Sequence, residues 1–328
     1  MSDLTNVFTD IADAIRAKTE TQITYKPTEM ANAINNIETG GGALVYDANG
    51  VSINRWFNAP VTIAEGVTNT SNLFRGCDNF NQPITIPNSV TNAVSMLLGC
   101  YSFNQPITIP NSVTNAVNML LGCYSFNQPI TIPNSVTNAV NMFKDCESFN
   151  QPITIPNSVT NAVNMFSYCS SFNQPITIPN SVTNAVNMLL VCHSFNQPIT
   201  ISDGVTDVRS MFSYCSSFNQ PLTIPSSAIY SAFLMQACSN LNSTVVFRNG
   251  VENISLAISY CAKFASDIWI PESVTAMASL LESTPYTDGT IHISHNIALG
   301  NTDNYIYNSL VNGEIGITLD PSRILNDY

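Results

Sequence analysis

Charged side chains are scarce in this sequence, and most of those present are acidic. They make up 10% of the 328 residues, and 22 Asp and Glu against 10 Lys and Arg give a net charge of −12. This balance argues against nucleic acid or an anionic membrane as a partner, because both attract basic proteins. The segment from Asn118 to Val140 carries no charge at all, so neutral amides and hydroxyls must form its surface.

Other absences exclude further classes of protein. No apolar run reaches the ~18 residues of a membrane span, so we expect no membrane insertion. The opening MSDLTNVFTD has neither a basic n-region nor an apolar h-region, which predicts no secretory signal. Only three histidines are present, His193, His292 and His295, and no Ser-His-Asp or paired-carboxylate arrangement can be assembled from positions in register. We therefore expect no enzyme and no cofactor.

Repetition, in contrast, is abundant. From Asn72 to Arg209 one 23-residue sequence recurs almost letter for letter. A fixed period of this length predicts a solenoid, in which each coil buries its apolar side only by stacking on its neighbours. Cysteines mark the period at intervals of 23 residues: Cys77, Cys100, Cys123, Cys146, Cys169, Cys192, Cys215, Cys238 and Cys261.

Each coil contains two kinds of pattern. Residues 83–87, PITIP, alternate apolar and polar side chains between two prolines, which predicts a short strand that pairs in parallel with its neighbours at ~4.8 Å. The second half of the coil has apolar residues at spacings of three and four, which predicts a few helical turns, with Ser89 or Thr91 as N-cap. These residues are Val90, Ala93, Val94, Leu97 and Cys100.

The string IPNSVTNAVNMFSYCSSFNQPITIP is similar to the bacterial surface-antigen (BspA-like) leucine-rich repeats in its 23-residue period and its IPxxV…F..C frame. The resemblance extends roughly from Ala48 to Ile297. It implies an α/β repeat fold: a leucine-rich-repeat-like solenoid of about twelve coils, with one parallel sheet and short helical turns on the outer side. It implies no chemistry, because function does not follow from a fold of this kind.

The cysteines occupy one inward position in successive coils, where a free thiol behaves as a small apolar side chain. A ladder of disulfides or a metal array is the alternative, but metal sites need ligands clustered at short spacing, such as C-x₂-C. His292 and His295 could hold a metal, although no carboxylate accompanies them. We therefore expect buried, unlinked cysteines and no metal site.

Residues 1–42 differ from the rest and predict two amphipathic helices followed by a glycine linker. Two such helices cannot form a stable core alone, so their apolar stripes require a partner. The stripes consist of Leu4, Phe8, Ile11 and Ile15, then Met30, Ile34 and Ile37.

This N-terminal segment, with IADAIRAKT followed by YKPTEMA, looks like a short module at the N-termini of tail and fibre-type proteins from phages of Gram-positive bacteria. The resemblance implies attachment to other virion proteins or oligomerisation. A helical cap on the open end of the core is the alternative, and the two are compatible. We expect three units: the module in 1–42, the solenoid in 43–301 and a C-terminal cap in 302–328. Leu44–Tyr46 is predicted as an edge strand, and 314–319 as a last strand.

The first candidate binding surface is the outward position of the strands. Eight threonines occupy it in succession and then give way to Val246, Trp269 and His292. An exposed tryptophan beside a histidine suits sugar stacking, whereas a C-terminal cap folded over it would make it part of the core. The threonine row also raises ice binding, which a single row bordered by prolines matches poorly.

A second candidate is a variable strip around each cysteine, where the frame is constant and its neighbours differ. Tyrosine, histidine and leucine here resemble interface chemistry, although drift at unconstrained surface positions gives the same pattern. The binding candidates are Tyr101, Tyr124, Lys144, Glu147, Tyr168 and His193, and Leu98, Leu121 and Leu190 vary with them.

Together these features predict a non-enzymatic, virion-associated display protein: a phage tail, baseplate or fibre component that recognises a glycan or protein on a host surface. It would be made in the host cytoplasm and would form a homo-oligomer. A self-assembling structural protein is the alternative, as is an adhesin on a bacterial cell surface.

Overall fold

The computed structural model describes residues 44–46, 55–294, 305–316 and 324–326 of the chain. The two predicted N-terminal helices in 1–42 and His295 lie outside the described residues, so these predictions stay open. The described residues form stacked 23-residue coils around one continuous apolar core, which confirms the predicted solenoid.

The strands are short, and each pairs in parallel with its neighbour along the stack. They form three sheets, β1-β2, β3-β4 and β5-β6-β7-β8-β9. The strands are β1 (Leu44–Tyr46), β2 (Val61–Ile63), β3 (Ile176–Thr177), β4 (Ile199–Thr200), β5 (Leu222–Ile224), β6 (Val245–Phe247), β7 (Ile268–Ile270), β8 (Ile291–Ile293) and β9 (Ile324–Asn326). The predicted edge strand at Leu44–Tyr46 is confirmed.

The prediction of a strand ladder in every coil is wrong for four of them, at 84–86, 107–109, 130–132 and 153–155. After β6, Arg248 donates its N–H to the Ile224 carbonyl of the previous coil at 3.1 Å. Pro87, Pro110, Pro133 and Pro156 occupy that position in the four coils, but Pro225 and Pro271 occupy it after β5 and β7, which are paired. Proline has no N–H and cannot make this bond, but because paired strands also end in proline, it does not by itself explain the missing ladder.

The second half of each coil is a chain of turns, so the predicted helical turns are also wrong. Backbone N–H groups alternate between two acceptors: Asn118 donates to Val140 of the next coil at 3.0 Å, and Met119 donates to Ala116 within its own turn at 3.1 Å. Residues four apart, such as Asn118 (φ 56°) and Gly122 (φ 75°), adopt the left-handed conformation. A right-handed helix cannot continue through such residues, although the apolar spacing is the same.

The core runs the length of the stack and repeats with the coils. The predicted inward residues are buried, and the phenylalanines stack from coil to coil, with ring centroids 6.0 Å apart for Phe103 and Phe126 and 5.9 Å for Phe126 and Phe149. Phe57, Val61, Ile63 and Val67 of the first, degraded coil are buried as predicted.

The two ends depart from the 23-residue frame. Leu44 of β1 pairs with Val61, and Ile291 of β8 pairs with Ile324 of β9, so the first coil is shorter and the last is longer. Ten 23-residue steps separate Val61 of β2 from Ile291 of β8. Together with the shorter first coil and the longer last coil, they give the predicted number of about twelve coils. The last coil contains helix α1 (Tyr305–Val311), which buries Ile306 and Leu310.

The strand predicted from residue 314 is a turn in its described part, Glu314–Gly316. Gly313 (φ 80°) and Gly316 (φ 91°) both lie in the left-handed region, which is incompatible with an extended strand. The carbonyls of Glu314 and Ile315 accept the N–H groups of Ser279 and Leu281 at 2.7 Å each. This turn therefore provides hydrogen-bond acceptors for backbone N–H groups at the open edge of the last regular coil.

Candidate binding surfaces

All nine cysteines are free and buried, and they line the interior as predicted. Eight of the thiols, from Cys100 to Cys261, donate to a backbone carbonyl 26 residues earlier, as Cys146 does to Leu120 at 3.2 Å. Burial raises the pKa of Cys146 well above its ordinary value and that of Cys77 to about 12. Because only the thiolate is a good nucleophile or metal ligand, this ladder serves packing rather than chemistry.

A second ladder, which the sequence interpretation missed, is formed by the asparagine of each NQP string. The Asn127 side-chain oxygen accepts the N–H of Asn150 at 2.9 Å and the amide of Gln151 at 3.1 Å. The same arrangement recurs in the neighbouring coils, and Ser266 takes the role of the glutamine beside Asn242. These amides hold the coils together rather than bind a ligand.

The outward row of the C-terminal sheet brings Val246, Trp269 and His292 together. Strand register places them side by side, and the rings of Trp269 and His292 stack with centroids 4.1 Å apart and planes 2° from parallel. Trp269 is half-buried and His292 is buried, whereas Leu325 of β9, which pairs with His292, is exposed.

This geometry restricts the use of Trp269 as a sugar platform. One face of the indole is covered by the imidazole, and the strand on the other side presents Val246. The Asp267 carboxylate lies 3.9 Å from His292 Nε2 and accepts the N–H of Thr290 at 2.9 Å. Only the edge of the indole ring therefore remains accessible in this row. Because a sugar stacks on the face of an aromatic ring, Trp269 is a poor stacking platform in this arrangement.

The second surface, which we call the corner strip, comprises the residues within two positions of each cysteine. At one end Tyr101 and Tyr124 stack with centroids 4.6 Å apart and planes 3° from parallel, and both are about 40% exposed. Desolvation raises the pKa of the Tyr124 phenol, and Tyr101, Asp145 and Glu147 raise it further. The register thus places two exposed rings beside two carboxylates.

Further along the corner strip, Lys144 Nζ lies 5.9 Å from the centroid of the Tyr168 ring, close enough for a cation–π contact. His193 is exposed, and its Nδ1 lies 3.0 Å from the Tyr214 carbonyl. Leu98, Leu121 and Leu190 are half-buried, so the polar and aromatic members of the strip are the ones that reach solvent.

Two further members of the strip, Tyr214 and Tyr260, are absent from the sequence-based candidates. They are 50% and 47% exposed, more than Tyr168 at 44%. The Tyr260 hydroxyl donates to the Glu282 carboxylate at 3.1 Å. The recurring string SYC, which begins at 167, 213 and 259, is the signal that could have identified them.

The position before each cysteine has left-handed backbone throughout the stack. Glycine occupies it in Gly76, Gly99 and Gly122, but Tyr168 (φ 64°), Tyr214 (φ 62°) and Tyr260 (φ 58°) occupy it in later coils. A bulky residue in this region costs roughly 1–2 kcal/mol, and an exposed ring recovers little of that by packing. The tyrosines are therefore held at an energetic cost.

The opposite, strand-bearing side of the coils has a shallow concavity of about 800 Å³. Its lining includes Thr131 and Thr154 of the exposed threonine row, with Pro133 and Pro156. The coils that lack a strand ladder form this concavity, and hydroxyls, proline rings and side-chain amides make up its polar and apolar surface.

Within the described residues, no group of three or more His, Cys, Asp or Glu side chains is placed to hold a metal ion. The seven-residue helix found there does not meet the length and hydrophobicity that a membrane span requires.

Among curated proteins, no sequence matches this chain. One similar solved structure is a leucine-rich cell surface protein from Faecalibacterium prausnitzii, with 22% identity and a TM-score of 0.47 over 76% of this chain and 69% of the other. Another is a leucine-rich repeat protein from Bacteroides ovatus, with 17% identity and a TM-score of 0.44 over 80% and 79%.

A family model described as "Mycoplasma protein of unknown function, DUF285" matches four overlapping segments, residues 63–155, 110–201, 133–224 and 155–245. Together these segments extend from 63 to 245, which is more than half of the 328 residues. They coincide with the 23-residue coils that the repeat predicts. The chain therefore belongs to this family of repeat proteins.

Proposed function

We propose that the protein is a non-enzymatic solenoid that displays a recognition surface, carried as a tail, baseplate or fibre component of a virion that contacts a bacterial host. The repeat core provides a regular scaffold, and the side chains that vary from coil to coil provide recognition. The buried, protonated thiols and the hydrogen-bonded asparagines belong to the scaffold.

The observation that carries this proposal is the exposure of aromatic side chains on the corner strip. Tyr101, Tyr124, Tyr168, Tyr214 and Tyr260 are each between 40% and 50% exposed. Tyrosine is enriched where proteins bind other molecules, since it combines a large apolar face with a hydrogen-bonding hydroxyl. These positions vary while the buried frame around them is constant, so they are free to determine specificity.

The placement on a virion rests on the resemblance of residues 1–42 to phage tail modules. In this proposal the stripes around Leu4, Phe8, Met30 and Ile34 attach the solenoid to copies of itself or to other virion proteins. The same display function would serve a protein on a bacterial cell surface, so the carrier and the recognition surface are tested separately.

Recognition is tested by incubating the fluorescently labelled full chain with Gram-positive bacterial cells and measuring bound protein by flow cytometry. We expect saturable binding that unlabelled protein displaces. Cells that bind no more than they bind of a labelled globular protein of similar charge would overturn the proposal. The carrier is tested by mass spectrometry of purified phage particles, in which the protein should be present at a fixed ratio to a known tail protein.

A further inference from the structure

The part of the corner strip between Tyr168 and Tyr260 has an alternation that is absent elsewhere. At the left-handed position before each cysteine, successive coils present Tyr168, Val191, Tyr214, Ala237 and Tyr260. The three rings are exposed, and the two small residues between them are half-buried. The strip is thus a comb of three rings separated by small side chains.

The spacing of this comb follows from the solenoid. Coils stack at the distance of parallel strands, so rings two coils apart are separated by roughly 10 Å. An extended, β-linked sugar chain presents equivalent ring faces once per disaccharide, which is close to this distance. Three tyrosines would therefore contact a chain of about six sugars at regular intervals.

The surface between the rings is polar and carries little charge, and the charged contacts lie at its two ends, where Lys144 Nζ is 5.9 Å from the Tyr168 ring and the Tyr260 hydroxyl donates to Glu282. The five strings SYCSS, LVCHS, SYCSS, QACSN and SYCAK contain one charged residue, Lys263, whose Nζ is hydrogen-bonded to Asn240 at 2.6 Å. The position after each cysteine adds Ser170, Ser216 and Ser239, which are half-buried. A phosphorylated or strongly anionic polymer would find little to pair with here.

The small side chains between the rings favour a sugar over a peptide. Peptides gain specificity from pockets for their side chains, but Val191 and Ala237 are half-buried small residues, and the concavity described above lies on the strand-bearing side. A pyranose instead places its C–H face on an aromatic ring and directs its hydroxyls to the flanking polar groups.

Backbone strain is the second, independent observation. Glycine stands at this position in Gly76, Gly99 and Gly122, so the frame itself requires no side chain there. Three tyrosines in a conformation that disfavours them, and with about half of each ring in solvent, have a function outside packing. From the spacing, the scarcity of charge between the rings and the strain together, we infer that Tyr168, Tyr214 and Tyr260 form a binding site for a neutral, extended, β-linked glycan.

This inference deepens the proposed function and rests on it, because it names the ligand class of one part of the recognition surface. The test is calorimetric titration of the full chain with cellohexaose and with chitohexaose, two linear β-1,4 hexasaccharides. At least one should bind, and the corresponding disaccharide should bind more than ten-fold more weakly, since it reaches one ring. Binding of neither hexasaccharide would overturn the inference.

The variants Tyr168→Gly, Tyr214→Gly and Tyr260→Gly test the site itself. Each should weaken binding of the hexasaccharide roughly five- to ten-fold, as expected for loss of one aromatic stacking contact, and the triple variant should abolish it. Glycine relieves the left-handed strain, so thermal stability should be unchanged or higher, and a loss of binding cannot be attributed to unfolding. Tyr230→Ser removes a ring that is equally exposed but lies off the strip and should leave binding intact.

Other outcomes would contradict the inference in distinct ways. Equal binding by the wild type and the triple variant would place the glycan elsewhere. Binding of a decaproline peptide that is lost in the triple variant, without hexasaccharide binding, would identify the strip as a peptide site. If the triple variant binds bacterial cells as well as the wild type does, the display function stands and this site assignment fails. If the wild type binds no cells, the proposed function fails whatever the hexasaccharides do.

Discussion

The coils with segments at 84–86 to 153–155 and the coils from β5 to β9 share one 23-residue frame, yet they hold their neighbours in different ways. In the first region the strand ladder is absent, and the asparagine ladder, the turn hydrogen bonds and stacked phenylalanines connect the coils. In the second region five strands pair continuously. One inward pattern of apolar side chains is therefore compatible with two kinds of hydrogen bonding at the surface.

The difference shows that the core, rather than the sheet, defines this solenoid. Cysteine occupies the same buried position in both regions, whereas a continuous strand ladder is present only in the second. Four experiments would sharpen or break this comparison.

Raising the pH is expected to have the largest effect and to act on both regions together. Burial raises the pKa of Cys77 and Cys261 to about 12 and that of Cys146 further, so the folded protein keeps protons that the unfolded chain loses above pH 9. Stability is then fully present below pH 9 and falls above it, by about 1.4 kcal/mol per pH unit for each thiol. Urea unfolding followed by circular dichroism between pH 8 and 11 measures this loss. A midpoint that does not move, or one region that unfolds first, would contradict it.

Truncating the phenylalanine stack should separate the two regions. Phe149 stacks on Phe126, Phe143, Phe166 and Phe172, whereas Leu241 holds the equivalent position in the second region. We expect Phe149→Ala to lower the free energy of unfolding by about 4 kcal/mol and Leu241→Ala by about 3 kcal/mol, since the stack adds to the cavity cost. Chemical denaturation gives both values. A larger loss for Leu241→Ala would show that the stack adds nothing.

Much of this architecture could be predicted from the sequence, because the same apolar residue recurs at each buried position in many successive coils. The parts that escaped prediction depend on backbone detail. The prolines around residues 84–86 indicate strand boundaries, but the same prolines bound paired strands such as β5, so they do not predict which coils form the ladder. The apolar spacing from Val90 to Cys100 is shared by a helix and by the observed turns, and only the left-handed residues Ser95 and Gly99 distinguish them.

Prediction of the candidate surfaces was similarly divided. The register alone places Trp269 beside His292, 23 residues later, so their stacking could have been anticipated. Tyr214 and Tyr260 were missed although they repeat the context of Tyr168. Asn127 and its equivalents were interpreted as surface, because nothing in a single NQP string shows that its oxygen accepts a hydrogen bond from the next coil.

The asparagine ladder should matter more where the strand ladder is missing. Asn127→Ala leaves the Asn150 N–H without its acceptor and should cost about 2 kcal/mol, whereas Asn242→Ala, beside paired strands, should cost about 1 kcal/mol. Asn127→Asp is the matched control, because Asp267 accepts the Thr290 N–H in the same way at 2.9 Å. Unfolding free energies compare the three variants, and equal losses in both regions would refute the distinction.

The smallest effect is expected at the left-handed position before the cysteine. Val191→Gly should stabilise the fold by about 1 kcal/mol, since a β-branched residue at φ 62° is strained. Gly122→Ala should destabilise it by a similar amount, because φ is 75° there while the nearest atom to an added Cβ, Gly99 Cα, is 3.5 Å away and leaves room. Thermal melting compares the pair. A destabilised Val191→Gly would mean that packing of the valine outweighs its strain.

The identity of successive coils has a consequence for inheritance. If the 23 residues from 124 to 146 were removed, the chain on either side would meet a neighbour with the same phenylalanine, asparagine and cysteine in the same places. Recombination between near-identical stretches of the gene could thus shorten or lengthen the molecule by ~4.8 Å at a time without redesign of any contact. The length of the solenoid can therefore change by whole coils, independently of the side chains on its surface.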